Sequence, residues 1–226
     1  RDETPAALNM QLNQSDYQRY NWQHSWGAVR TQTIGGQLDS RIFGTLNARY
    51  TNIDGYVYFG MNGSDQSPLP IQDQSGVELI ELRHDKALTW GKLGYESNIV
   101  YQNVLSGQAV MPLPELLLRQ SLYFQDAWFD KAALIQTGVR AKYFSAYYAK
   151  SYDPILAEFY VQNEQEIGNF PLVDLFFQAK IRQTRFFLIY EHFNQMFSSS
   201  RNQFSAPGYP YRDAIVRFGL VWNFFQ

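Results

Sequence analysis

Cysteine is absent from the 226 residues, which excludes a disulfide framework, a thiolate zinc site and a cysteine nucleophile. No apolar stretch approaches the roughly 18 residues that a membrane-crossing helix needs. Neither sign of charge predominates. The net charge is -2 and the isoelectric point about 5.9, so no broad basic surface argues for nucleic acid. Histidine is scarce: His24, His84 and His192 lie in separate segments and suggest no shared metal site. There is no GxSxG, HExxH, P-loop or GxGxxG, so the chain is read as a non-enzyme without catalytic residues, metal or cofactor. The first residues, Arg1-Asp2-Glu3-Thr4-Pro5, lack the character of a signal peptide. Either a signal has been removed or the chain starts within a longer protein.

Aromatic residues are abundant. With 17 Phe, 16 Tyr and 5 Trp the aromatic share is 17%, yet mean hydropathy is only -0.37. Alternation reconciles the two. Between Asp213 and Gln226, Val216, Phe218, Leu220, Trp222 and Phe224 alternate with Arg217, Gly219, Val221 and Asn223. A period of two gives a strand one apolar face and one mostly polar face. Similar alternation places strands at Ala28–Leu38, Gly44–Phe59, Val77–His84, Leu88–Asn103, Leu116–Trp128, Ala132–Tyr147, Leu172–Arg182, Arg185–Met196 and Arg212–Gln226. Strands of about 10 to 15 residues suit a tilted bilayer crossing.

The connections alternate in length. Short turns are expected around 38–43, 84–87, 129–131 and 183–184, and long loops at 60–76, 104–115, 149–171 and 197–211. Outer-membrane barrels have short periplasmic turns and long outer loops. The fold expected is therefore all-β: a transmembrane antiparallel up-and-down β-barrel, integral to a bacterial outer membrane, with a periplasmic C-terminus. Residues 28–226 supply the strands and 1–27 an outer loop or N-terminal extension. Nine strands is an odd number, so a strand is missing upstream and the chain is part of a larger barrel. The rival is a tenth strand near Tyr17–Trp22. Asp54-Gly55 is a good hairpin dipeptide, but a hairpin there leaves pieces too short to span. One long strand with a bulge is preferred.

The run from Ser205 to Phe225, S-A-P-G-Y-P-Y-R-D-A-I-V-R-F-G-L-V-W-N-F-F, resembles the C-terminal signature of the putative-porin family of Bacteroidota. Phe43–Leu46, Tyr50–Asn52, Leu156–Tyr160, Phe170–Asp174 and Glu191–Asn194 are similar to it too. The resemblance covers nearly the whole chain. It implies an outer-membrane β-barrel of porin type, made with a signal peptide and longer on its N-terminal side. It implies no particular substrate.

A charge on the lipid face at mid-bilayer costs roughly 2–4 kcal/mol, so the polar alternates are expected to face a lumen. They are Arg49, Glu96, Asn98, Gln102, Arg119, Gln136, Arg140, Lys142, Asp174, Gln178, Lys180, Arg182, Arg217 and Asn223. Val216, Phe218, Leu220, Trp222 and Phe224 are expected to face lipid on the closing strand. The polar set either solvates a wet interior or sets a field in a pore. Its cations outnumber Glu96 and Asp174, which predicts a mild anion preference. Tyr56, Tyr58, Tyr101, Tyr123, Trp128, Tyr147, Tyr190, Trp222 and Phe225 are read as interfacial belts. The function expected is a passive channel for small polar solutes, embedded in outer-membrane lipid, with no nucleic-acid partner. The alternative is a non-conducting barrel acting as a structural or interaction subunit, with protein partners in an envelope complex. A soluble sandwich or ligand-carrying barrel is the third reading.

Overall fold

The computed structural model describes residues 2–4, 14–16, 20–61, 67–197 and 203–223. Its main body is one sheet of ten strands: β1 (Asp2–Thr4), β2 (Val29–Ser40), β3 (Gly44–Asp54), β4 (Val77–Trp90), β5 (Leu93–Ser106), β6 (Leu116–Trp128), β7 (Ala133–Phe144), β8 (Leu172–Ile181), β9 (Thr184–Glu191) and β10 (Ile215–Trp222). Neighbours in the sheet are neighbours in the sequence, and every pair is antiparallel. The chain is an all-β meander.

The turns fall into two groups, one at each end of the sheet. Residues 41–43, 91–92, 129–132 and 182–183 are tight; the connections at 55–76, 107–115, 145–171 and 192–214 are long. One expected turn is misplaced. At His84–Ala87 the strand does not turn but continues to Trp90, because the alternation runs on: His84, Lys86, Leu88 and Trp90 share a face with Leu82. The two polar groups on that face are satisfied at the adjacent turn. His84 Nε2 donates to the Phe43 carbonyl at 2.7 Å, and Lys86 Nζ donates to the carbonyls of Arg41, at 3.0 Å, and Ile42. The turn comes at Gly91-Lys92, where Gly91 takes the positive φ of 61° that the first position of a two-residue hairpin loop favours.

The bulged long strand expected across Asp54-Gly55 does not form. Gly55 adopts φ 71° and the chain leaves the main sheet. Val57–Met61 then pairs with Pro68–Gln72, and on its other side, in parallel, with Glu158–Val161, which pairs with Ser151–Asp153. The long loops thus build a four-stranded sheet of their own. The tenth strand is also elsewhere than expected. It is Asp2–Thr4, whereas Asn21–Gln23 forms a separate hairpin with Gln14–Asp16. The penultimate strand stops at Glu191, short of Met196, and a 3-10 turn spans Phe193–Phe197. Phe224 and Phe225 lie outside the described residues.

Among the described residues the sheet is open. β10 pairs with β9 on one side, and β1 covers only Val29–Thr31 of the far edge of β2. The register brings the apolar alternates into line. One row crosses seven strands: Leu88, Tyr95, Leu122, Val139, Leu175, Tyr190 and Val216. This face is exposed rather than covered: Ile34 at 72%, Leu122 at 54% and Phe218 at 82%. The fully buried side chains sit mainly at the long-loop end, in clusters around Phe59 and Leu156 and around Val77 and Val104.

Candidate functional site

The other face of the sheet carries the charge. By register it presents Arg49 on β3, Glu96 on β5, Arg119 on β6, Arg140 and Lys142 on β7, Asp174 and Lys180 on β8, and Arg217 on β10. Asn98, Gln102, Gln136 and Gln178 share that face. Two candidates do not belong to a strand there: Arg182 occupies the β8–β9 turn at φ 52°, and Asn223 follows the end of β10. Besides Asp39, in the turn expected at 38–43, five charged residues on the face went unrecognised in the sequence: Glu81, Arg83, Asp85, Arg185 and Glu191. Arg83 and Asp85 border the misplaced turn. The phase of the neighbouring strands would have found the others. With Asp39 they bring the face to eight cations and six acids, a narrower excess than the sequence suggested.

Several charges are paired. Arg83 meets Asp85 at 2.8 Å, and Asn98 also donates to Asp85. Lys142 meets Asp174 at 3.0 Å, while the His192 backbone N–H donates to the other oxygen of Asp174 at 3.1 Å. Arg217 pairs with Glu191. An exposed pair such as Arg83–Asp85 adds roughly 0–1 kcal/mol of stability, so its main effect is to fix side-chain direction, whereas Asp174 is buried and its bonds satisfy a carboxylate with little access to water. The Tyr123 hydroxyl donates to Glu96 at 3.3 Å. Between these groups lies a groove of about 460 Å³ bordered by Arg83, Asp85, Glu96, Asn98, Arg119 and Ser121.

The long loops fold over this same face at their end of the sheet. Val77 and Val104 are buried with Val110, against Tyr56, Tyr58, Met111 and Leu113. Further along, Phe144 of β7 meets Phe170 with ring centres 5.7 Å apart, and Phe170 meets Tyr211 at 5.5 Å. Tyr147 and Ile167 exchange backbone hydrogen bonds, both 3.0 Å. Burial pushes the phenols of Tyr58, Tyr147 and Tyr211 above the usual tyrosine range. Tyr56, Tyr58 and Tyr147 therefore belong to loop clusters and not to a belt, and Tyr123 lies on the polar face. Tyr101, Trp128, Tyr190 and Trp222 are on the apolar face. At the tight-turn end Phe43, Trp90, Trp128 and Phe129 are all exposed, beside Arg41, Lys92 and Lys131.

No curated protein and no solved structure matches this chain. Residues 2–226 match the family described as "Putative porin". With nearly its whole length covered, and with the all-β meander that such a protein requires, the chain belongs to the putative porin family.

Proposed function

We propose that the sheet is the greater part of a transmembrane β-barrel in a bacterial outer membrane, and that the barrel is a passive channel for small polar solutes. The observation that carries this is the apolar face. It runs across nine strands with large side chains exposed and, among the described residues, no second layer on it. Soluble monomers rarely expose apolar patches beyond a few hundred Å². Lipid suits that face and water suits the opposite one. The exposed Trp and Phe with nearby cations at the tight turns fit a membrane–water interface.

A bilayer leaves no strand edge unpaired. The edges of β2 and β10 that are unpaired among the described residues are read as completed by further strands, in a closed ring. The tight turns lie on the periplasmic side. β10 runs toward that end, which suits a periplasmic C-terminus. Transport needs no bound cofactor: solutes cross by diffusion along the charged face.

The alternative, a non-conducting barrel serving as a structural or interaction subunit, is favoured by one feature. The loop clusters around Val77 and around Phe170 roof the polar face at its outer end. Planar-bilayer recording on the full-length protein separates the two. Stable conductance steps with a mild anion preference in a salt gradient are expected. A folded, inserted protein that passes no current leaves the subunit reading in place.

A further inference from the structure

We propose that Arg119, Arg140 and Lys142, with Ser121 among them, form a binding site for a polyatomic oxyanion on the polar face of β6 and β7. The inference rests on that face being water-filled, and it names the solute class: small molecules bearing a phosphate or carboxylate group.

The register sets the cations together. Arg119 stands directly opposite Lys142, and Ser121 directly opposite Arg140. Arg119 is thus also the diagonal neighbour of Arg140. Like charges directly opposed across a strand pair repel; Asp174, directly opposite Arg140 on β8, offsets part of that repulsion, and an anion beside Arg119 would offset the rest. The nearby acids already have partners, and one of them, Asp174, neutralises Lys142 within the site. Asp174 also accepts the His192 N–H. Glu96, opposite Ser121 on β5, accepts from Tyr123, and Asp85 is held by Arg83 and Asn98. Arg119 pairs with no acid among the described residues. Arg140 lies over the Phe176 ring, 5.4 Å from its centre, and its buried Nε has no hydrogen-bond partner among the described residues. A guanidinium fork matches the paired oxygens of a phosphate or carboxylate. A groove of about 460 Å³ runs beside Arg119 and Ser121 on the β4 and β5 side, bordered also by Arg83, Asp85, Glu96 and Asn98 and not by Arg140 or Lys142, and gives a solute access to Arg119.

The test is equilibrium binding to the detergent-solubilised full-length protein, with inorganic phosphate and acetate as probes against chloride at matched ionic strength. Saturable binding of at least one probe is expected, and the tighter of the two identifies the solute group. Arg119→Gln should weaken it about tenfold. Arg119→Lys, which keeps the charge and loses the fork, should weaken it several-fold, and serves if the first variant misfolds. Lys180→Gln, a cation elsewhere on the face, should leave it unchanged. Absence of saturable binding, or equal loss in the Lys180 variant, overturns the site. Because the measurement needs no conduction, the two readings fail separately. Binding without current sinks the channel and keeps the site; current without Arg119-dependent binding does the reverse.

Discussion

Tyr123 shows what a single residue does in this sheet. Its ring lies flat over Gly94 on one neighbouring strand, and its backbone runs against Gly138 on the other. A methyl group at Gly94 would strike the ring, which can swing aside. A methyl group at Gly138 would strike the Leu122 carbonyl and come within 2.7 Å of the Tyr123 Cα, which cannot. Gly138→Ala should therefore destabilise by about 1–3 kcal/mol, and Gly94→Ala by distinctly less, read as shifts in the urea midpoint of the vesicle-inserted protein. Equal midpoints would mean that the close approach is not structural. Phe187 covers Gly219 in the same way on β9 and β10. None of this is legible in the sequence. Alternation assigns a residue to a face, but which glycine stands opposite which ring depends on the register, set by turns and bulges far along the chain.

At the level of the strand, period two was a sound guide and punctuation was not. Leu116–Trp128 has the limits that its alternation implies, and nearly all the charged candidates fall on one face. The errors came where local chemistry was read ahead of phase. His84-Asp85-Lys86 looks like a turn because it is charged, yet its outward groups reach the carbonyls of the 41–43 turn. Asp54-Gly55 looks like a hairpin or a bulge, yet it is the point of departure for a second sheet whose partners lie about a hundred residues away. Such long-range pairing leaves no periodic trace. The alternation itself makes a prediction. Leu122→Arg, on the apolar face of β6, should cost about 2–4 kcal/mol of folding into lipid vesicles. Gln125→Arg, on the polar face of the same strand, should cost little. An arginine tolerated at 122 and rejected at 125 would reverse the assignment of the faces.

For the whole molecule, the open sheet and the two faces belong to one account. An antiparallel sheet with a bare apolar side and a charged side partly roofed by loops is unstable as a free-standing object in water. Rolled into a ring it satisfies both solvents and hides its edges. These 226 residues contain no cysteine, so one introduced among them is the single attachment point within this stretch. The decisive measurement is a scan of nitroxide labels from Leu116 to Trp128 in vesicles, comparing collisions with lipid-soluble oxygen and with a water-soluble nickel chelate. The account predicts a period of two: Leu118, Leu122 and Phe124 accessible to oxygen, and Arg119, Tyr123 and Gln125 to the chelate. A scan without alternation, or an apolar row shielded from both probes in a dry protein interior, would contradict it.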